Sequence, residues 1–148
     1  MTPRRLDPET VEARLRLMRD LLDDLVALGP VPGQRLRDER LLRHAIERIL
    51  TQLVELAAGI NSHIVAVTLG HAPRTHRDSF TDAARAGVIK EELAAMLTPA
   101  VGMRNLLVHD YAAVDLDLVG EAVPRAIDDM GAYVRALAEW LAQQDPTR

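Results

Sequence analysis

Arg104, Asn105, His109 and Tyr111 lie within eight residues of one another and carry the side chains in this chain best suited to chemistry. Arginine is a permanent cation whose planar fork matches a phosphate, and histidine takes or gives a proton near neutral pH. Arg104 is in phase with Leu93, Leu97, Ala100, Val101 and Val108, so it interrupts an apolar helical stripe and needs a partner for its charge. His109 follows five residues later, about 140° around an unbroken helix. Asn105 and His109, by contrast, are an i,i+4 pair on one face. Arg104 and His109 therefore address one substrate only in a cleft or at a helix end. Tyr111 shares a face with His109 if the chain extends beyond the helix, and comes into phase with Arg104 if the helix continues. Plain structural roles compete with these: an arginine whose head pairs with an acid on a neighbouring helix, a histidine that only hydrogen-bonds, and a tyrosine that packs its ring at the helix end.

Other chemistries find little support. The absence of cysteine excludes a disulfide framework, a thiolate zinc site and a cysteine nucleophile. His71 and His76 frame a proline-containing loop, but with no carboxylate at ligand spacing they make a poor metal site and read as loop. No metal or cofactor is expected. There is no glycine-rich phosphate loop, no Gly-x-Ser-x-Gly elbow and no paired-carboxylate motif. His63, beside Ile60, Ile64 and Val67, reads as a satisfied histidine near the core. His44 lies in an arginine-rich stretch and fits an RNA-facing surface or a solvated face equally well. The net charge of −4 argues against broad nucleic-acid binding while leaving room for a local RNA site. Of the 18 basic residues all but Lys90 are arginine, and Arg35, Arg37, Arg40, Arg43 and Arg48 crowd one region. Asp38, Glu39 and Glu47 are there to balance them.

The elements that must position these residues are helical. With 148 residues the chain fits a single domain, 1–148; it is 48% hydrophobic but 3% aromatic, so its core must be aliphatic and of the kind that packs between helices. Asp7-Pro8-Glu9 opens a first helix that stops at Gly29-Pro30, and Val31 to Gln34 reads as a turn. Leu42, Ile46, Ile49, Leu53, Leu56, Ile60, Ile64 and Val67 recur at threes and fours, predicting a long helix from about Leu36 to Leu69. Thr75 and Asp78 form a weak capping box for a short helix to about Arg85. A fourth helix is expected from about Ile89 to Val108, kinked at Thr98-Pro99. A last one starts near Asp115, bends at Pro124 and ends before Asp145-Pro146. With no hairpin signal, the fold is all-α: an up-and-down four-helix bundle with one additional short helix. The N-terminus has two arginines but no apolar run behind them, and no uninterrupted apolar stretch approaches a membrane span, so a cytoplasmic protein without a membrane role is expected.

The string Arg104-Asn105-Leu106-Leu107-Val108-His109-Asp110-Tyr111 resembles the Arg-x4-His-x-Tyr motif of HEPN proteins of the HepT kind. Glu47 to Glu55 and Asn61 to Ile64 resemble that family's second helix, and Pro73 to Phe80 with Ala86 to Ile89 its central connection. The resemblance implies a HEPN bundle that acts as a metal-independent endoribonuclease. It further implies a homodimer with the motifs of both subunits facing one cleft, and a toxin paired with a minimal nucleotidyltransferase antitoxin of the MNT type. On this resemblance Arg104 and His109 are catalytic, Asn105 supports them, and Tyr111 is the hydroxyl to which the antitoxin attaches AMP. The residues suit that chemistry, because RNA carries its own nucleophile, the 2′-hydroxyl, and chiefly needs a proton carrier and a cation for the phosphate. Asn105 would orient His109 or a phosphate oxygen. Two rivals remain: a catalytically idle HEPN module that binds nucleotide or a nucleotidyltransferase, and a dimerisation bundle in which Arg104 only forms a buried ion pair.

Overall fold

A computed structural model describes residues 4–144. Asp7 caps the first helix, α1 (Pro8–Leu28), as its pattern predicts: the carboxylate accepts the Thr10 amide and, at 2.6 Å, the Thr10 hydroxyl. Those Thr10 bonds hold the Asp7 carboxyl below its usual pKa. Gly29, at φ +66°, ends the helix. The expected turn at Val31 to Gln34 is instead the entry to a short helix, α2 (Gly33–Asp38), with Pro32 as its N-cap. The long helix accordingly begins later than predicted, as α3 (Arg40–Thr68). Next come α4 (His76–Arg85), whose Thr75 hydroxyl caps the Asp78 amide at 3.0 Å, α5 (Glu91–His109), a 3-10 turn (Tyr111–Ala113) and α6 (Leu116–Gln144). Pro99 and Pro124 interrupt neither α5 nor α6. Asp145-Pro146, the expected stop, lies outside the described residues.

The architecture is the predicted all-helical bundle with two short helices, α2 and α4, where one was expected. Helix α1 packs on α3, α3 on α5, α5 on α6 and α6 back on α1, a closed ring of four. The short α4 bridges α3 and α5, and α2 lies against α6 and α3. The core is aliphatic, with Leu15, Met18, Leu25, Leu53, Ile60, Ile64, Leu97, Met130 and Leu137 almost fully enclosed. By length and composition α3 alone, among the described helices, could cross a membrane, but 56% of its apolar window is buried inside the bundle.

A buried polar chain runs through this core. The Tyr133 hydroxyl lies 2.6 Å from Asn61 Oδ1 and 3.1 Å from the Ala57 carbonyl. Asn61 Nδ2 reaches Ser79 Oγ at 3.4 Å, and Ser79 donates to the His76 carbonyl at 2.6 Å. Burial pushes the Tyr133 phenol well above its ordinary pKa. This chain ties α6, α3 and the first turn of α4 together, since unmade bonds at buried polar groups cost about 1–3 kcal/mol each.

Candidate active site

Helices α3 and α5 run antiparallel, so later residues of α5 meet earlier residues of α3. Arg104 of α5 faces Glu55 of α3, and Tyr111, just beyond α5, faces Arg43 and Glu47. The i,i+4 positions 43, 47, 51 and 55 line this seam.

The Arg104 side chain is 15% exposed; its Nη2 lies 3.3 Å from Glu55 Oε1, and its Nη1 donates to Asn105 Oδ1 at 3.2 Å. The predicted need for a charge partner is thus met by Glu55. At 3.3 Å the pair is looser than the 2.7–2.9 Å typical of charge-assisted bonds. The guanidinium is not saturated: its Nε is buried with no hydrogen-bond partner. Such an unmet donor in a folded core calls for an explanation. Asn105 Oδ1 is occupied with Arg104, and among the described residues no hydrogen bond joins Asn105 to His109.

His109 ends α5 and is exposed, and among the described residues no hydrogen bond or ion pair holds its side chain. Among the described residues no hydrogen bond therefore joins Arg104 to His109, in keeping with their i+5 spacing. Tyr111 stands on the 3-10 turn with 53% of its surface exposed, and the Arg43 guanidinium lies over its ring 5.8 Å from the centroid. The Glu47 carboxylate beside the phenol raises its pKa. Tyr133, the other tyrosine, is completely enclosed and out of reach of any modifying enzyme.

His76, assigned to loop from its spacing, is the first residue of α4 and a neighbour of the Arg104–Glu55 pair. Burial, reinforced by the Arg104 charge, lowers its pKa. Glu55 and His76 are neighbours of Arg104 that spacing did not identify. His63 is satisfied as expected, its Nε2 accepting the Asp7 amide at 3.0 Å. The arginine-rich stretch is largely balanced: Arg35 pairs with Glu39, Arg43 with Glu47 and Arg37 with Asp117. Among the described residues no group of three or more His, Asp and Glu side chains converges as a metal site.

A family model described as Ribonuclease HepT-like matches residues 18–137, which include the whole stretch from Arg104 to Tyr111. The chain is 27% identical over 136 residues to the tRNA nuclease HepT of Aphanizomenon flos-aquae, with 92% of each chain covered. It is 29% identical over 102 residues to the mRNA nuclease HepT of Shewanella oneidensis, covering 69% of this chain and 77% of that one. Among solved structures, a tri-AMPylated Shewanella oneidensis HEPN toxin in complex with an MNT antitoxin has a similar fold. The TM-score is 0.78 at 23% identity, over 88% of this chain and 97% of that one.

Proposed function

This chain belongs to the HepT-like ribonuclease family, and from that premise we propose that it is a toxin endoribonuclease that cuts RNA through Arg104 and His109 and is silenced when an MNT-type nucleotidyltransferase attaches AMP to Tyr111. The observation that carries the proposal is the local arrangement of the matched stretch. It presents a half-buried cation, an unencumbered imidazole and an exposed phenol at one end of α5.

In the proposed mechanism the 2′-hydroxyl attacks the adjacent phosphorus, the bond to the 5′-oxygen breaks, and a 2′,3′-cyclic phosphate remains. His109 moves the proton, and Arg104 holds the phosphate oxygens as charge builds on them. Glu55 and Asn105 fix the guanidinium from one side, leaving donor capacity for the phosphate. The reaction needs one group to take a proton and another to give one. A homodimer that faces two motifs into one cleft would supply a second His109. None of these steps calls for a metal, and the site of action would be the cytoplasm, where RNA is abundant.

AMP on Tyr111 would bring a bulky base and a charge of about −1 close to the motif, competing with RNA phosphate. The chemistry of the two nuclease relatives, named for tRNA and for mRNA, supports RNA as the substrate class. The AMPylated state named for the Shewanella toxin supports the switch.

The test is purified protein against total RNA with and without EDTA. Cleavage persists in EDTA, leaves 2′,3′-cyclic phosphate ends, falls by about 10²–10³ in Arg104→Ala and is lost in His109→Ala, with both variants folded. Full activity in the folded double variant would remove this pair from the mechanism. The Arg104–Glu55 ion pair also favours a second reading, a structural dimerisation bundle in which Arg104 only forms an ion pair. That bundle shows no cleavage in the wild type, and its Arg104→Ala variant melts at a lower temperature.

A further inference from the structure

The N-terminal half of α3 holds a charged cluster that RNA cleavage does not use. Glu47 is 5% exposed, an unusual setting for a carboxylate, and pairs tightly with Arg43 at 2.7 Å. The bond to Glu47 raises the Arg43 pKa. Arg43 in turn covers the face of Tyr111. The ring is therefore not anchored by the core: a three-residue turn carries it, and the half-exposed Arg43 of an ion pair on another helix lies over it. Glu47 is enclosed while the Arg43 side chain is 27% exposed, so the pair presents its cation, not its carboxylate, to the solvent side where the ring stands. The cluster is also separate from Arg104, which is committed to Glu55 two turns further along α3.

We infer that Glu47 and Arg43 make Tyr111 a nucleotidyl acceptor, Glu47 taking the phenolic proton during AMP transfer and Arg43 receiving the phosphodiester that forms. This rests on the proposal that Tyr111 is the modified residue. In the transfer the phenolic oxygen attacks the α-phosphorus of a nucleoside triphosphate held by the partner enzyme. The new O–P bond forms as the bond from the α-phosphorus to the bridging oxygen breaks, and pyrophosphate leaves with the electron pair. The proton passes to the Glu47 carboxylate and on to solvent. A positioned carboxylate beside an attacking hydroxyl performs the same task in protein kinases. The product carries a charge of about −1 next to Glu47, and the Arg43 fork, already above the ring, is the cation placed to neutralise it. The acceptor would then help catalyse its own modification, and an exposed tyrosine lacking such a pair would be a poor substrate.

The experiment follows AMP incorporation by intact mass and peptide mapping when the toxin is incubated with its MNT antitoxin and ATP. Wild type gains AMP on Tyr111. Glu47→Gln, nearly isosteric, slows kcat for transfer by about 10²-fold or more with KM for the toxin little changed, and Glu47→Asp recovers part of the rate. Glu47→Gln remains folded, at a somewhat lower melting temperature, and retains its RNA cleavage, which separates lost proton transfer from lost folding. Arg43→Gln, at a more solvent-facing position, slows transfer at least several-fold and keeps the inference testable should Glu47→Gln fold poorly. Transfer to Tyr111 at the wild-type rate in folded Glu47→Gln, or in Arg43→Gln should Glu47→Gln not fold, overturns the inference and leaves the Tyr111 proposal standing. AMP on another residue of the wild type, or none, overturns both.

Discussion

His76 takes part in a site that its spacing did not reveal, and its titration gives a direct measure of that environment. Its folded pKa lies below the ordinary value because burial, and then the Arg104 charge, disfavour the imidazolium; Glu55 offsets them in part. The unfolded chain consequently binds more protons than the folded one at pH values below about 6.5 and down to the lowered folded pKa. Stability is unaffected by His76 above that window, rises with pH through it, and is lost as the solution is acidified. Urea titrations across this range should show a shallower acid loss in His76→Gln than in wild type; equal slopes would mean that Arg104 and burial do not act on His76. The pairing of Arg104 with Glu55 was half legible. Glu55 is the only formally charged residue from Ile49 to Gly70, and neither it nor Arg104 has an opposite charge within four residues along its helix. Two such orphans of opposite sign predict a contact between helices, but which helices adjoin is a property of the bundle. His76 was less legible still, because nothing in its spacing shows that a chain through Tyr133, Asn61 and Ser79 presses the start of α4 onto α3.

At the scale of elements, the capping residues Asp7 and Thr75 and the apolar periodicity were sufficient to locate α1, α3, α4, α5 and α6 to within a few residues. Helix α2 escaped because Pro32 and Gly33 ordinarily punctuate a turn, and six residues are too few to show a period. It exists because of what it packs on. A Cβ at Gly33 would collide with Asp117, and one at Gly120 with the carbonyl oxygen of Val31, so two glycines let this segment and α6 approach backbone to backbone. Asp117 also pairs with Arg37 at 3.1 Å across the same junction. Gly120→Ala should therefore destabilise the fold by about 1–3 kcal/mol, since the clash is with main chain and cannot be relieved by a rotamer change. Gly131→Ala, in the same helix, meets only the flexible end of Arg135 and should be neutral or stabilising by up to about 1 kcal/mol. Matched denaturant midpoints for the two variants would contradict this account of the α2–α6 contact.

For the whole molecule, the fold leaves an apolar surface that the monomer does not use. A groove of about 440 Å³ between α3, α5 and α6 is lined by Met96, Pro99, Met103, Leu118 and Ala122, with Glu121, Arg125, Asp128 and Asp129 among its polar residues. Met96 is 53% exposed, Leu118 50% and, within the motif itself, Val108 44%. Solvent-facing methionine and leucine beside charged residues are typical of a protein-binding surface, and methionine adapts readily to a partner. On the proposed function, the occupant would be a second copy of this chain. Among the described residues no hydrogen bond joins Arg104 to His109, a second His109 would let one imidazole take a proton while the other gives one, and α5 carries both the motif and part of the groove. A twofold axis beside α5 would bury the same patch on both subunits and bring the two exposed His109 side chains toward one cleft. Light scattering at micromolar concentration should give a dimer, and Leu118→Asp, which places a charge on the groove without touching the motif, should give a folded monomer that no longer cleaves RNA. A wild-type monomer that cuts RNA would show that one subunit completes the site by itself. A Leu118→Asp dimer with full activity would move the interface to another face of the bundle.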